Sequence, residues 1–132
     1  MNIKLIGQIL VGLVGAFLVF NGLRYMFLPE QTLVVTQLTA ESIFGLSNAR
    51  ANIGGAAVAF GLIGLHAAVK ANTELVRAFI TFFVLFIIAR VTGLIVDGID
   101  TFSVRATILG VGLLAANVVG LLLMKRAEKQ TG

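Results

Sequence analysis

LVRAFITFFVLFIIARVTGLIVD, residues 75–97, decides the fold. Between Ala78 and Ala89 only Thr81 is not strongly apolar, and as a helix rising about 1.5 Å per residue the stretch crosses a hydrocarbon layer roughly 30 Å thick. It is one of four. Runs of the same kind cover about 5–28, 48–69 and 102–124, with short polar turns around Lys70–Glu74 and Gly98–Thr101 separating the last three. Four such spans use nearly all of the 132 residues, so the expected fold is all-α. It is a single polytopic membrane domain, an antiparallel bundle of four transmembrane helices.

Composition points the same way. The chain is 58% hydrophobic and 12% charged, with a mean hydropathy of +1.03, whereas soluble domains carry about 25% charged residues. The net charge of +4 would suggest nucleic acid in a soluble protein, but these cations flank apolar spans and read as topology signals. No nucleic-acid partner is expected; the partner is the bilayer. Without cysteine there is no disulfide, thiolate metal site or cysteine nucleophile, and no motif for a metal or a cofactor is present.

The first run continues from Leu5 past Phe20 to Leu28 with no small-x-small cleavage signal after it, which predicts an uncleaved helix ended by Pro29. Residues 30–47 contain no spanning run. Leu33, Val34, Leu38, Ile43 and Phe44 are expected to hold this segment against the bilayer surface as a short interfacial helix between helices 1 and 2.

Small residues mark the expected packing faces. In the second span Gly54, Ala57, Gly61, Gly64 and Ala68 follow Arg50 at helical spacing, a groove suited to another helix or to a ligand lying against it. Ala51, Gly55 and Ala59 make a second stripe in that span, Gly93 lies on the face of Arg90 and Asp97, and Gly112, Ala116 and Gly120 are spaced by four in the last span.

Antiparallel threading brings the polar residues to one level. Asn21 and Arg24 end the first span, Arg50 and Asn52 begin the second, and Arg90 and Asp97 lie in the last part of the third. Arginine near a bilayer midplane costs roughly 2.5–3.5 kcal/mol on insertion scales, so Arg90 should face the bundle interior or water, with a partner. Two readings stand for the cluster. In one, Arg24 and Arg50 snorkel to headgroups while Asp97, Asp100 and Arg105 satisfy Arg90 in a structural ion-pair network. In the other, the guanidinium groups outnumber the carboxylates and attract a carboxylate or phosphate head. The opposite half holds Gln8, His66 and Asn117; His66 reads as an interfacial or hydrogen-bonded imidazole before a proton relay, and Asn117 as an interhelical hydrogen bond.

Sidedness follows from the cations at the span ends. Lys4, Lys70, Arg77, Lys125, Arg126 and Lys129 fall on one side, and Arg24, Arg50, Arg90 and Arg105 on the other. Both termini are therefore expected in the cytoplasm and the polar cluster in the outer half.

Gly22-Leu23-Arg24 with Pro29, then Asn48 to Gly55 with Arg50 and the Gly54-Gly55 pair, then Arg90-Val91-Thr92-Gly93 followed by Asp97-Gly98, resembles the DUF4345 family, small four-helix bacterial membrane proteins of unknown function. The resemblance covers essentially the whole chain and implies residence in the bacterial cytoplasmic (inner) membrane. Its polar signature would be Arg24, Arg50, Gly54, Gly55, Arg90, Asp97 and Gly98; it implies no activity.

The preferred expectation is a protein that binds an amphiphile or small anion in a polar pocket, with Arg24, Arg50 and Arg90 as anion contacts, Asn21 and Asn52 beside them, and Asp97 as the orienting carboxylate. No catalytic residue is assigned. The alternatives are a structural or assembly subunit packing on partner helices or on copies of itself, and a membrane enzyme using Asp97 as general acid or base.

Overall fold

The computed structural model describes residues 2–131. It is all-helical, with no strand among the described residues, and four of its helical stretches are long and apolar enough to cross a membrane. Helix α1 (Ile3–Phe27) starts where Asn2 Oδ1 accepts the Lys4 N–H at 3.0 Å and ends one residue before Leu28. Pro29 then opens α2 (Pro29–Val35), where its missing N–H costs nothing. Two bonds fold α2 back on α1: the Tyr25 hydroxyl donates to Thr36 Oγ1 at 2.9 Å, and the Thr32 hydroxyl to the Arg24 carbonyl at 3.2 Å.

The interfacial segment is shorter than expected. Ser42 caps α3 (Ile43–Asn48) by accepting the Gly45 N–H at 3.0 Å, and α3 runs without a break through a π-helical segment (Ala49–Gly55) into α4 (Ala56–Val69). The second span therefore begins at Ile43, five residues before the expected Asn48, because Ser42 supplies a start signal that hydropathy does not register. Ile43 and Phe44 are exposed at its start, as is Val34 on α2, while Leu33 turns inward and is buried.

Helices α5 (Thr73–Val96) and α6 (Thr101–Thr131) complete the bundle. Asn72 caps α5, and Asp100 caps α6 through the N–H groups of Phe102 and Ser103 at 2.8 and 3.0 Å. Gly98 turns the chain between them with φ +108°, where a side chain would be strained. At about 1.5 Å per residue the 31 residues of α6 exceed a hydrocarbon layer of roughly 30 Å, so the last turns, with Lys125, Arg126 and Lys129, extend past it.

Helix α1 is the central partner, packed intimately against α4 and α6; α5 rests on α6 and less closely on α4. Glycines set the α1–α4 approach. A Cβ on Gly22 would lie 2.7 Å from the Gly54 carbonyl, and one on Gly61 would lie 2.6 Å from the Gly15 carbonyl. Gly7 and Gly120 make the same kind of backbone contact between α1 and α6, at 2.6 Å. The small face behind Arg50 thus takes α1. The dense core, with Val11, Val14, Ala67, Val76, Phe79, Phe83 and Met124, fills the half of the bundle near the α4–α5 turn. Large apolar side chains such as Leu13, Phe20, Leu62, Leu85 and Leu122 point outward, a surface suited to lipid and not to water.

Candidate functional site

In the half where α1 ends and α5 ends, the four spans part around a cavity of about 370 Å³. Its wall draws on every span: Phe17 and Leu18 from α1, Asn52 and Ile53 from the π-helical segment, Phe60 from α4, Phe82, Phe83, Phe86 and Arg90 from α5, and Leu109, Gly110 and Leu113 from α6. Phe60 and Phe82 stack with centroids 4.0 Å apart, and Phe82 meets Phe83 edge-on at 5.4 Å. Gly110 leaves the room on the α6 side, since a Cβ there would touch the Phe86 ring at 3.4 Å. The lining is aromatic and aliphatic with two polar exceptions, Asn52 and Arg90.

Helical spacing explains the α5 wall. Phe82, Phe86 and Arg90 follow one another at i, i+4, so the arginine stands one turn above a phenylalanine on the same face. Its guanidinium carbon lies 5.2 Å from the centre of the Phe86 ring, within cation–π range. Among the described residues no carboxylate is within ion-pair distance of Arg90. A partly buried guanidinium held only by an aromatic face keeps most of its donors for something else. Asn52 donates to Asn48 Oδ1 at 2.8 Å, leaving its own carbonyl oxygen and second N–H.

The six expected ligand contacts do not converge as a single set. Arg90 and Asn52 line the cavity above, and Arg90 and Asp97 line a second one at the α5–α6 turn. Arg50 instead donates to the Met26 carbonyl at 3.0 Å, capping the C-terminal end of α1. Asn21 donates to the Phe17 carbonyl within its own helix at 2.9 Å. Arg24 shares the Asn21 face but lines neither cavity, and its side chain has no hydrogen-bond or ion-pair partner among the described residues. The physical reason is that α1 occupies the groove behind Arg50, so the cations of the first two spans lie at the rim of that contact.

The expected packing positions divide likewise. Gly54, Gly61 and Gly120 are in backbone contact across helices, and Ala116 packs on the core. Gly55 and Gly93 meet only groups of their own helices, Arg50 and Asp97, and a Cβ on Gly112 would meet nothing within 4 Å.

Asp100 sits just beyond the spans. The Ser103 hydroxyl and then the Ser103 N–H hold its carboxyl below the ordinary 3.8, with smaller contributions from the Phe102 N–H and the Arg90 charge. Among the described residues no group of three or more His, Cys, Asp or Glu side chains is arranged to hold a metal ion.

This is the layout of a small multi-pass helical bundle with an aromatic-walled chamber and a half-buried arginine on its lining. The chain belongs to the DUF4345 family: the family model described as "Domain of unknown function (DUF4345)" matches residues 6–123. It matches no curated protein and no solved structure.

Proposed function

We propose that this protein binds one amphiphile, with its tail in the aromatic cavity between the four spans and its anionic group on Arg90 and Asn52. The observation that carries the reading is the pairing of a cavity of about 370 Å³, walled by Phe60, Phe82, Phe83 and Phe86, with a guanidinium that has no carboxylate within ion-pair distance among the described residues. Membrane pockets with these two properties recognise an apolar body and a charged head together. No bond-making step is required. The membrane we propose is the cytoplasmic one, as the family resemblance implies, and the Lys and Arg distribution supports both termini inside and the cavity in its outer half.

Native mass spectrometry after mild detergent extraction tests this. Wild-type protein is expected to carry a bound amphiphile, and Arg90→Leu to lose it by about tenfold or more, the worth of one charged hydrogen bond. Arg77→Leu is the control, because Arg77 pairs with Glu74 at 2.7 Å at the opposite end of α5. Ala106→Leu, which fills the cavity without touching a charge, should have the effect of Arg90→Leu. Folded Arg90→Leu protein with wild-type occupancy would refute the proposal.

A further inference from the structure

Arg90 belongs to two walls. Toward the bundle axis it closes the aromatic cavity; toward the α5–α6 turn it lines a cavity of about 440 Å³ with Gly93, Asp97, Gly98, Asp100 and Ser103. The first chamber is apolar and the second polar, so the guanidinium stands where a tail would give way to a head.

The charges of the second chamber constrain that head. That chamber is an open rim at the α5–α6 turn that holds one half-buried guanidinium and two exposed carboxylates, and neither carboxylate is in ion-pair contact with Arg90. Asp100 keeps Oδ1 on the first turn of α6, and Asp97 makes no side-chain hydrogen bond among the described residues. Gly93 lies on the same wall beside Asp97, where a Cβ would be in ordinary contact with Asp97 Oδ2 at 3.6 Å. A purely anionic head drawn to Arg90 would meet two carboxylates of its own sign, and a purely cationic head would meet the guanidinium. A head carrying both charges satisfies all three groups.

We infer that the amphiphile is zwitterionic, with a phosphate or carboxylate on Arg90 and Asn52 and a primary ammonium between Asp97 and Asp100. The inference rests on the amphiphile-binding reading above and adds the class of headgroup. A primary ammonium is specified because its three N–H donors serve two carboxylates at once, which a quaternary ammonium cannot do.

The test uses detergent-solubilised full chain titrated with lipids of one short acyl chain length and three heads: phosphoethanolamine, phosphocholine and phosphoglycerol. Wild type is expected to prefer phosphoethanolamine over phosphoglycerol by about tenfold, the scale of one charged hydrogen bond, with phosphocholine between them. The variant Asp97→Asn/Asp100→Asn should bring that ratio to one or below; asparagine at position 100 still caps α6, so folding is preserved. A phosphoglycerol preference in wild type, or an unchanged ratio in the double variant, overturns the headgroup inference and leaves the cavity reading standing. Absence of saturable binding by every tailed probe removes the cavity reading itself. Free phosphoethanolamine is expected to bind at least about a hundredfold more weakly than its tailed form, since it buries no hydrocarbon; equal affinity would make the ligand a soluble aminoalkyl phosphate and overturn both.

Discussion

Arg50 and Arg90 carry the same guanidinium and use it differently. Arg50 donates to the Met26 carbonyl at the end of α1, where the helix dipole also favours a cation. Arg50→Leu should therefore lower stability by about 1 kcal/mol, read as a thermal midpoint in detergent, while leaving amphiphile occupancy at the wild-type level. A loss of occupancy with unchanged stability would return Arg50 to the binding set. Asn117 makes the reverse case. Its Nδ2 donates to the Leu113 carbonyl at 3.0 Å, but its Oδ1 is buried with no hydrogen-bond partner among the described residues, not the interhelical bond its position suggested. Asn117→Leu should stabilise by about 1 kcal/mol, and a drop in thermal midpoint would mean that the oxygen has an acceptor's role in the folded protein. Asp100 adds a pH dependence of known sign. Its folded pKa lies below 3.8, so the stability it contributes is complete above that value and is lost as the pH falls through the folded pKa. Protection of the α6 first-turn amides, taken relative to their intrinsic exchange rates, should fall in acid, and Asp100→Asn should abolish that pH dependence.

Between elements, α1 and the second span cap each other. Arg50 reaches back to the end of α1, and Gln8 of α1 donates to the Ala68 carbonyl at the end of α4 at 2.7 Å. Glycine contacts run between these two ends. Gly61→Ala would set a Cβ 2.6 Å from the Gly15 carbonyl and 2.7 Å from the Val19 nitrogen; separating the helices to admit it should cost about 1–3 kcal/mol. Gly112→Ala is the counterpart, since its Cβ meets nothing within 4 Å, and it should gain up to about 1 kcal/mol of helix propensity. The two midpoints moving together would contradict this division. Hydropathy and spacing made the four spans and the small face behind Arg50 legible, because lipid and close approach each leave a periodic signal. They did not reveal which of several glycine stripes another helix would take, since Gly54 and Gly112 look alike until a partner backbone is placed beside one of them. The π-helical segment at Ala49–Gly55 was invisible for a related reason: its residues are ordinary helix residues, and only the closing bond pattern differs. The aromatic wall was not legible: Phe79, Phe82, Phe83 and Phe86 read as packing or lipid-facing surface, and only the placed helices show that Phe82, Phe83 and Phe86 line a cavity with Arg90 one turn beyond Phe86.

Over the whole molecule the packing is lopsided. Near the α4–α5 turn the four spans close on Val11, Val76, Phe79 and Met124, all fully or almost fully buried; near the ends of α1 and α5 they open around the Arg90 chamber. The tight end holds the bundle together, which leaves the open end free to carry a polar group at a cost only a ligand or water can offset. Reporter fusions should place both termini on the cytoplasmic side, and an external C-terminus would put the chamber in the inner half instead. The measurement that bears most directly on the central claim is an experimental density map of protein extracted in a mild detergent and never delipidated. The account predicts elongated non-protein density between Phe60 and Phe86 with its head against Arg90. A chamber closed by inward-turned side chains, with Arg90 paired to Asp97 and no density beside it, would contradict it.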